Sequence, residues 1–527
     1  MNQRRAVLIG VAAVVAILVA LVPRSTWAAE PPAPAPPKPS PITKVAVQAN
    51  NAFACDALRI LSKDAPTTNV FISPWSISSA LAMTMEGARG RTALEMGLAL
   101  RLPKGLRTGG DRPWKLDAHH AGFAEVQRRT LAPPDAQKSR AIHDQIVAKR
   151  QELDGLNKQL EAERDRPSQA VRSAAEALAA DINKLQLQVN LFDLRIANAI
   201  WIEQTYPFDP AFAAVVGKHY GRGLLRNADF INQFPDERIK INRWVETRTE
   251  DRIKDLIPEL PPDQARLVRM ILVNAIYFKG QWKDPFDKRL TKQGPFSLAG
   301  GGDVDAALMQ RTFRARYAAF DGAGHYFDTP HTRSDPFDAP STQSRGSAPL
   351  YPNQDGFLIA ELPYKGDKLA LVVIAPQNPM GLDAVQAKLT GETLAAWLAK
   401  LENRDVGVTL PRFKLETSYE LSEMLKAAGM KLAFDERNAD FTGMTTSRHP
   451  EHKLSISKVL HKAFVEVNEE GTEAAAATAV MMHVMASSSI SWSFTPVFRA
   501  DRPFLFLIRD IHTGAVLFLG RMMTPKT

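Results

Sequence analysis

Apolar residues in this chain recur with two different periods, and the segments that carry each period do not alternate. Residues 52–61, 77–86, 240–252 and 421–428 place apolar side chains three and four apart, which predicts helices with one buried face. Residues 194–202 and 406–410 read instead as strands, as does 458–467 nearer the C-terminus. Four further runs, 269–280, 369–375, 504–509 and 515–520, are almost continuously apolar and predict strands covered on both faces. Helices and strands follow no regular βαβ order. An α+β fold with mostly antiparallel sheets is therefore expected, rather than a doubly wound one.

Two stretches interrupt that pattern and read as insertions. Residues 133–186 are charged and helix-favouring, with Ile142, Ile146, Leu153, Leu156 and Leu160 keeping a seven-residue rhythm. Arg166, Pro167 and Ser168 break it, and Val171, Leu178, Ile182 and Leu185 resume it. This predicts two helices joined at the proline and packed antiparallel: a solvated hairpin, or an arm that docks a protein partner. Residues 322–355 are rich in Pro, Ser, Thr, Asp and Gly without a period, and predict a mobile loop.

The N-terminus carries an address. Arg4 and Arg5 precede an apolar run over residues 6–22, and Ala28 or Ala29 offers a cleavage site. Residues 1–29 are read as a secretory signal peptide, giving a secreted or periplasmic protein, with an uncleaved membrane anchor as the alternative. Membrane contact is expected only in the second case. Residues 30–44 form a proline-rich linker, and the globular part, 45–527, is expected to start near Val45. Cys55 has no partner for a disulfide, and no Asn-x-Ser/Thr sequon occurs, so neither cross-link nor N-glycan is expected. The net charge of +9 permits contact with polyanions, but the basic residues are scattered among nearly as many acids. A generally basic surface is the simpler reading, and no nucleic-acid partner is expected.

One segment is chemically unusual. Residues 466–480, EVNEEGTEAAAATAV, are small, contain no proline, and run without charge from Ala474 to Met482. They are extended enough to enter a sheet and too weakly apolar to hold themselves together. Among chemistry-bearing patterns, His449 and His452 form an H-x-x-H pair without a third ligand, so no metal is expected. The chain has no G-x-S-x-G, H-E-x-x-H or glycine-rich phosphate loop, so neither an enzyme nor a cofactor is expected.

The order of several words along residues 45–525 resembles the serpin family closely. These are Asn69-Val70-Phe71-Ile72-Ser73-Pro74-Trp75-Ser76-Ile77, and Asn242-Arg243-Trp244-Val245 with Thr249 and Ile253-Lys254-Asp255-Leu256-Ile257-Pro258. Val273-Asn274-Ala275-Ile276-Tyr277-Phe278-Lys279-Gly280 with Trp282 follows, then Glu361-Leu362-Pro363-Tyr364, Phe441-Thr442-Gly443-Met444 and Asp501-Arg502-Pro503-Phe504. The resemblance implies the serpin fold: three mostly antiparallel β-sheets, surrounding helices, and an exposed reactive-centre loop at about 469–497. It also implies a suicide-substrate inhibitor that forms a covalent acyl-enzyme with a target serine protease. A non-inhibitory serpin acting as a carrier, chaperone or scaffold is the alternative within the same fold. The sheet-opening region would comprise Ser73, Ser76, Asn274, His461 and Trp282, with Asn274 and His461 hydrogen-bonded near the two serines.

The hinge implied by the resemblance comprises Glu469, Gly471, Thr472, Glu473, Ala474, Ala475, Ala476, Ala477 and Thr478. Side chains alternate along a strand, so an entering hinge would bury Thr472, Ala474, Ala476 and Thr478 and leave Glu473 on the other face. Gly471 would be the flexible pivot. Counting from Gly471, the scissile bond falls between Met485 and Ala486, with Val484, Met482 and Ile490 as alternative cut sites. A medium unbranched side chain at Met485 suits chymotrypsin-like, elastase-like or subtilisin-like proteases.

Overall fold

The structure is a computed structural model that describes residues 38–63, 65–131, 136–162, 169–189, 192–329, 351–447, 453–472 and 494–525. The chain divides into two units, Met1–Lys38 and Pro39–Thr527, and every element described belongs to the second. Pro41 opens the first helix, α1 (Pro41–Lys63). A proline's fixed φ and missing N–H suit a first helical turn. The helix thus starts inside the stretch expected to be linker, ahead of Val45. A short strand, β1 (Val70–Ile72), leads into α2 (Pro74–Gly87), whose Ser73 cap accepts a hydrogen bond from the Ser76 amide at 3.2 Å. Every residue of α2 is buried, the polar Ser76, Ser78, Ser79, Thr84 and Glu86 included, because the helix is packed on all sides.

Helices α3 (Gly90–Ala99) and α4 (Leu116–Leu131) follow, and then the inserted pair α5 (Ala136–Ala162) and α6 (Gln169–Val189). Ile142, Ile146 and Ile182 are buried between these two, with Leu153, Leu178 and Leu185 packed against them. The second helix runs past residue 186, to Val189. The proline break and Leu160's side chain lie outside the described residues. Strand β2 (Phe192–Glu203) is followed by α7 (Pro210–His219), β3 (Leu225–Ala228) and α8 (Phe230–Arg248). Helix α8 begins well before residue 240 and kinks at Gln233, two positions ahead of Pro235. Among the described residues no helix is long and apolar enough to cross a membrane; residues 6–22 lie outside them.

The remaining strands are β4 (Met270–Gln281), β5 (Lys292–Ser297), β6 (Asp303–Phe320), β7 (Tyr326–Phe327), β8 (Phe357–Pro363) and β9 (Leu369–Pro376). Then come β10 (Glu402–Pro411), β11 (Phe413–Glu420), β12 (Lys458–Asn468), β13 (Gly471–Thr472), β14 (Val497–Arg499), β15 (Phe504–Asp510) and β16 (Val516–Met522). One sheet runs β11-β12-β13-β4-β2-β3, and the other runs β1-β16-β15-β9-β8-β6-β10-β14, with β5 and β7 attached to β6. Hydrogen bonding gives two sheets where the resemblance implies three, because β6, 18 residues long, pairs with β10 and β5 along one part and with β8 and β7 along another. Its partner β7 lies within the stretch expected to be a mobile loop; residues 330–350 of that stretch lie outside the described residues.

The six-stranded sheet is a layer between two helices. Ile200, Leu272, Ile276 and Val465 face the core shared with Ile77 and Leu81 of α2. Trp201, Ile271, Val273 and Leu460 face the opposite way and pack with Ile241 and Val245 of α8. The period of two along β2, β4 and β12 puts every second side chain under α8.

Candidate functional site

A row of polar side chains crosses the otherwise apolar face of the six-stranded sheet that looks toward α2. Register sets Asn198 of β2 opposite Asn274 of β4, Asn274 opposite His461 of β12, and His461 opposite Tyr419 of β11. Asn274 Nδ2 donates to Ser76 Oγ and to Asn198 Oδ1, each at 2.6 Å. Ser76 Oγ donates to Asn198 Oδ1 at 2.8 Å, and Asn198 Nδ2 returns a bond to the Ser76 carbonyl at 3.0 Å. The Ser73 amide donates to His461 Nε2 at 3.1 Å, while Ser73 Oγ donates to the Leu517 carbonyl at 2.7 Å. Because Nε2 accepts, the imidazole proton sits on Nδ1, which bonds to Asn274 Oδ1. Burial, opposed only in part by the bond to Asn274, pulls the His461 pKa down to about 3, so this histidine is neutral.

Asn274 and His461 meet across the seam between β4 and β12. These strands pair directly and in parallel from Ile271–Lys458 to Tyr277–Phe464. At the end of the seam Gly471 and Thr472 are wedged between them. Thr472 pairs antiparallel with Val467 on one side and with Gly280 on the other. The Thr472 side chain is fully buried, and its hydroxyl lies 2.8 Å from the Tyr364 hydroxyl. A Cβ on Gly471 would stand 2.0 Å from the Gly280 carbonyl oxygen, so the close approach of two backbones, beyond any pivoting, demands glycine here.

Trp282 belongs to this second cluster and not to the polar row. Its ring stacks on Tyr364 with centroids 4.7 Å apart, its indole donates to the Asn468 carbonyl at 2.9 Å, and its amide donates to the Glu470 carbonyl. Glu469, expected at the start of an exposed loop, is buried instead. Arg412 Nε reaches its two oxygens at 2.7 and 2.9 Å, and Thr291 Oγ1 donates to it as well. Burial alone would raise the carboxyl, but the Arg412 and then the Thr291 hydrogen bonds outweigh it and hold the pKa below the usual value. Glu470 pairs with Lys288. The root of the loop is thus anchored through Thr472, where exposure was expected, because these partners neutralise both acids.

Sequence reasoning did not single out Asn198, Tyr419 or Arg412. Asn198 carried the same signal as Asn274, an uncharged polar residue inside an apolar strand. Residues 473–493, with Glu473, Ala474, Ala475, Ala476, Ala477, Thr478, Met485 and Ala486, lie outside the described residues, as do His449 and His452. Among the described residues no group of three or more His, Cys, Asp or Glu could hold a metal ion. Cys55 is buried, and burial pushes its thiol up to about 12.

Comparison with known proteins gives a consistent picture. A family model described as serpin (serine protease inhibitor) matches residues 48–525. The leukocyte elastase inhibitor of Homo sapiens is 34% identical over 485 residues, spanning 90% of this chain and 98% of that protein. Serpin B6 of Macaca fascicularis is 33% identical over 485 residues, spanning 91% of this chain and 100% of its own. Among solved structures, human thyroxine-binding globulin matches with a TM-score of 0.65 at 22% identity, covering 92% of this chain and 100% of that one. Uncleaved ovalbumin matches at 0.63 and 24%, covering 91% and 100%. At such identities these two likenesses speak for the fold alone.

Proposed function

We propose a function from one premise: the chain belongs to the serpin family. Membership and the elastase-inhibitor relatives support protease inhibition in general. The finer reading is a suicide-substrate inhibitor of serine proteases with elastase-like, chymotrypsin-like or subtilisin-like pockets. The observation that carries it is the seat of Thr472, buried between β4 and β12 and antiparallel to both.

In this reading the protease serine attacks the Met485 carbonyl. The bond to Ala486 breaks, the protease histidine protonates the departing amine, and an ester tethers protease to inhibitor. Strand entry then follows from register. Extending the pairs Thr472–Val467 and Thr472–Gly280 brings position 478 opposite His461 on one side and Asn274 on the other. The entering strand separates those two residues and breaks their bond. Thr478 then brings a hydroxyl into the gap, where methyls alone would leave His461 Nδ1 and Asn274 Oδ1 unpaired. One parallel ladder becomes two antiparallel ones, which are slightly more stable per residue. Each buried methylene-sized group of Ala474 and Ala476 adds about 0.8 kcal/mol. Movement of the tethered protease distorts its oxyanion hole and leaves the ester unhydrolysed. Residues 1–29 serve, by the same proposal, to export the chain or to anchor it outside the cytoplasm.

The test mixes the full chain with one protease of each class and reads denaturing gels for an adduct, with the mass of the released C-terminal peptide locating the cut. A stable adduct with at least one protease is expected. Thr472→Arg, which forces a charge into a fully buried position, should be cleaved yet form no adduct. Cleavage of the native chain without an adduct, and without a gain in heat resistance, would identify a non-inhibitory member.

A further inference from the structure

Beside the Asn198 end of the polar row lies a cavity of about 190 Å³. Its apolar walls are Trp75 and Met83 from α2, Ile196 from β2, and Leu224 from the turn ahead of β3. Asn198 and Tyr220 supply polar lining. The Tyr220 hydroxyl is engaged by His120 Nδ1 at 2.7 Å, and the Asn198 carboxamide by Ser76 and Asn274. At about 30 Å³ per water, the space holds about six waters, or one ring-sized body.

Two exposed arginines also border it, Arg222 from the turn after α7 and Arg248 from the last turn of α8. Neither has a carboxylate partner among the described residues. A third cation stands close by. Arg226 lies over the rings of Trp201 and Trp244, at 5.2 and 5.3 Å, and Arg248 lies 5.6 Å over the Trp244 ring. Burial first, and then the positive charge of Arg248, hold the Arg226 guanidinium below its ordinary pKa. The indole N–H groups of Trp201 and Trp244 are buried without an acceptor. Three arginines without a carboxylate partner among the described residues therefore gather at one sheet edge, next to a preformed space with apolar walls.

We propose that this cavity binds a small organic anion, with a single carboxylate held by Arg222 and Arg248 and a compact apolar body seated against Trp75, Met83, Ile196 and Leu224. Occupancy supports the closed sheet. The ligand buttresses Asn198, which bonds to Ser76 and to Asn274 beside the seam, and a ligand that binds only the native form raises its stability by mass action. Ligand binding in this cavity does not depend on the loop chemistry proposed above.

Titration calorimetry and thermal melting of the full chain, at constant ionic strength, test it with three probes. Sodium benzoate carries ring and charge, benzyl alcohol the ring alone, and sodium sulfate the charge alone. Benzoate should bind saturably, at least about tenfold more tightly than either control, and raise the melting temperature. Arg222→Met with Arg248→Met should weaken benzoate at least about tenfold while keeping the aliphatic stems. Met83→Trp, which fills the space and leaves both arginines in place, should abolish benzoate binding. Equal affinity for the three probes, or benzoate binding unchanged in either variant, would overturn the proposal.

Discussion

Asn274 spends its carboxamide on three partners at once: Ser76, Asn198 and His461. Asn274→Ala should cost about 1–3 kcal/mol for each partner left buried and unpaired, read as a fall in the urea midpoint of the intact chain. Acid should act on His461 in this network and on two buried groups outside it, His119 of α4 and Glu469. His461 and His119 have pKa values pulled down to about 3 by burial, against an ordinary value of 6.5. Both are neutral when folded, so the unfolded chain binds protons first. Their stabilising share is full above pH 6.5 and is lost as pH falls toward 3. Each should contribute about 2 kcal/mol less at pH 5 than at pH 7. Glu469, held low, adds a further loss as pH falls through its own folded value. Urea midpoints at pH 7.5, 6 and 5 check this, and a flat profile would contradict it. Ser73, Ser76, Asn274 and His461 were legible as polar residues in apolar or signature segments. Asn198 bore the same mark, but strand register, which places it beside Asn274, is not written in a single segment. Arg412 was invisible because its partner, Glu469, was expected in solvent.

Elements with one steady period were the readable ones. Strands β4, β9, β12 and β15 fall within a residue or two of the expected bounds, since their burial is almost uniform. Strand β6 was not foreseen as a unit, because burial along it changes from mixed to continuous as its neighbours change. Two-residue strands such as β7 and β13 carry too few side chains to show a period at all. The inserted helices α5 and α6 were readable, and the structure gives them a small apolar cluster of their own. Replacing residues 133–189 by a short flexible linker should therefore leave the body's melting temperature nearly unchanged. A shorter closed loop alters stability by only about 0.6 kcal/mol per halving. Scanning calorimetry checks this, and a large loss would mean that the hairpin braces the sheet.

At the scale of the whole molecule, the α+β class and the covered sheet were legible, whereas the merging of strands through β6 and the buried loop root were not. If the loop enters after cleavage, the cleaved chain should melt well above the intact one, with both pieces held together. Thr478→Val keeps the shape and removes the hydroxyl, so it should lower the stability of the cleaved form by about 1–3 kcal/mol and leave the intact form unchanged. Calorimetry of both forms decides it; equal losses in the two would reject the proposed register. Thr472 is already paired on both sides, so the first rung of any new strand is in place before a protease arrives. Under the proposed insertion, parting would then travel one way, starting where Tyr277 faces Phe464 and finishing where Ile271 faces Lys458. Such a zip has a fixed direction: changes near Tyr277 should alter how soon it starts, and changes near Ile271 only whether it reaches the end.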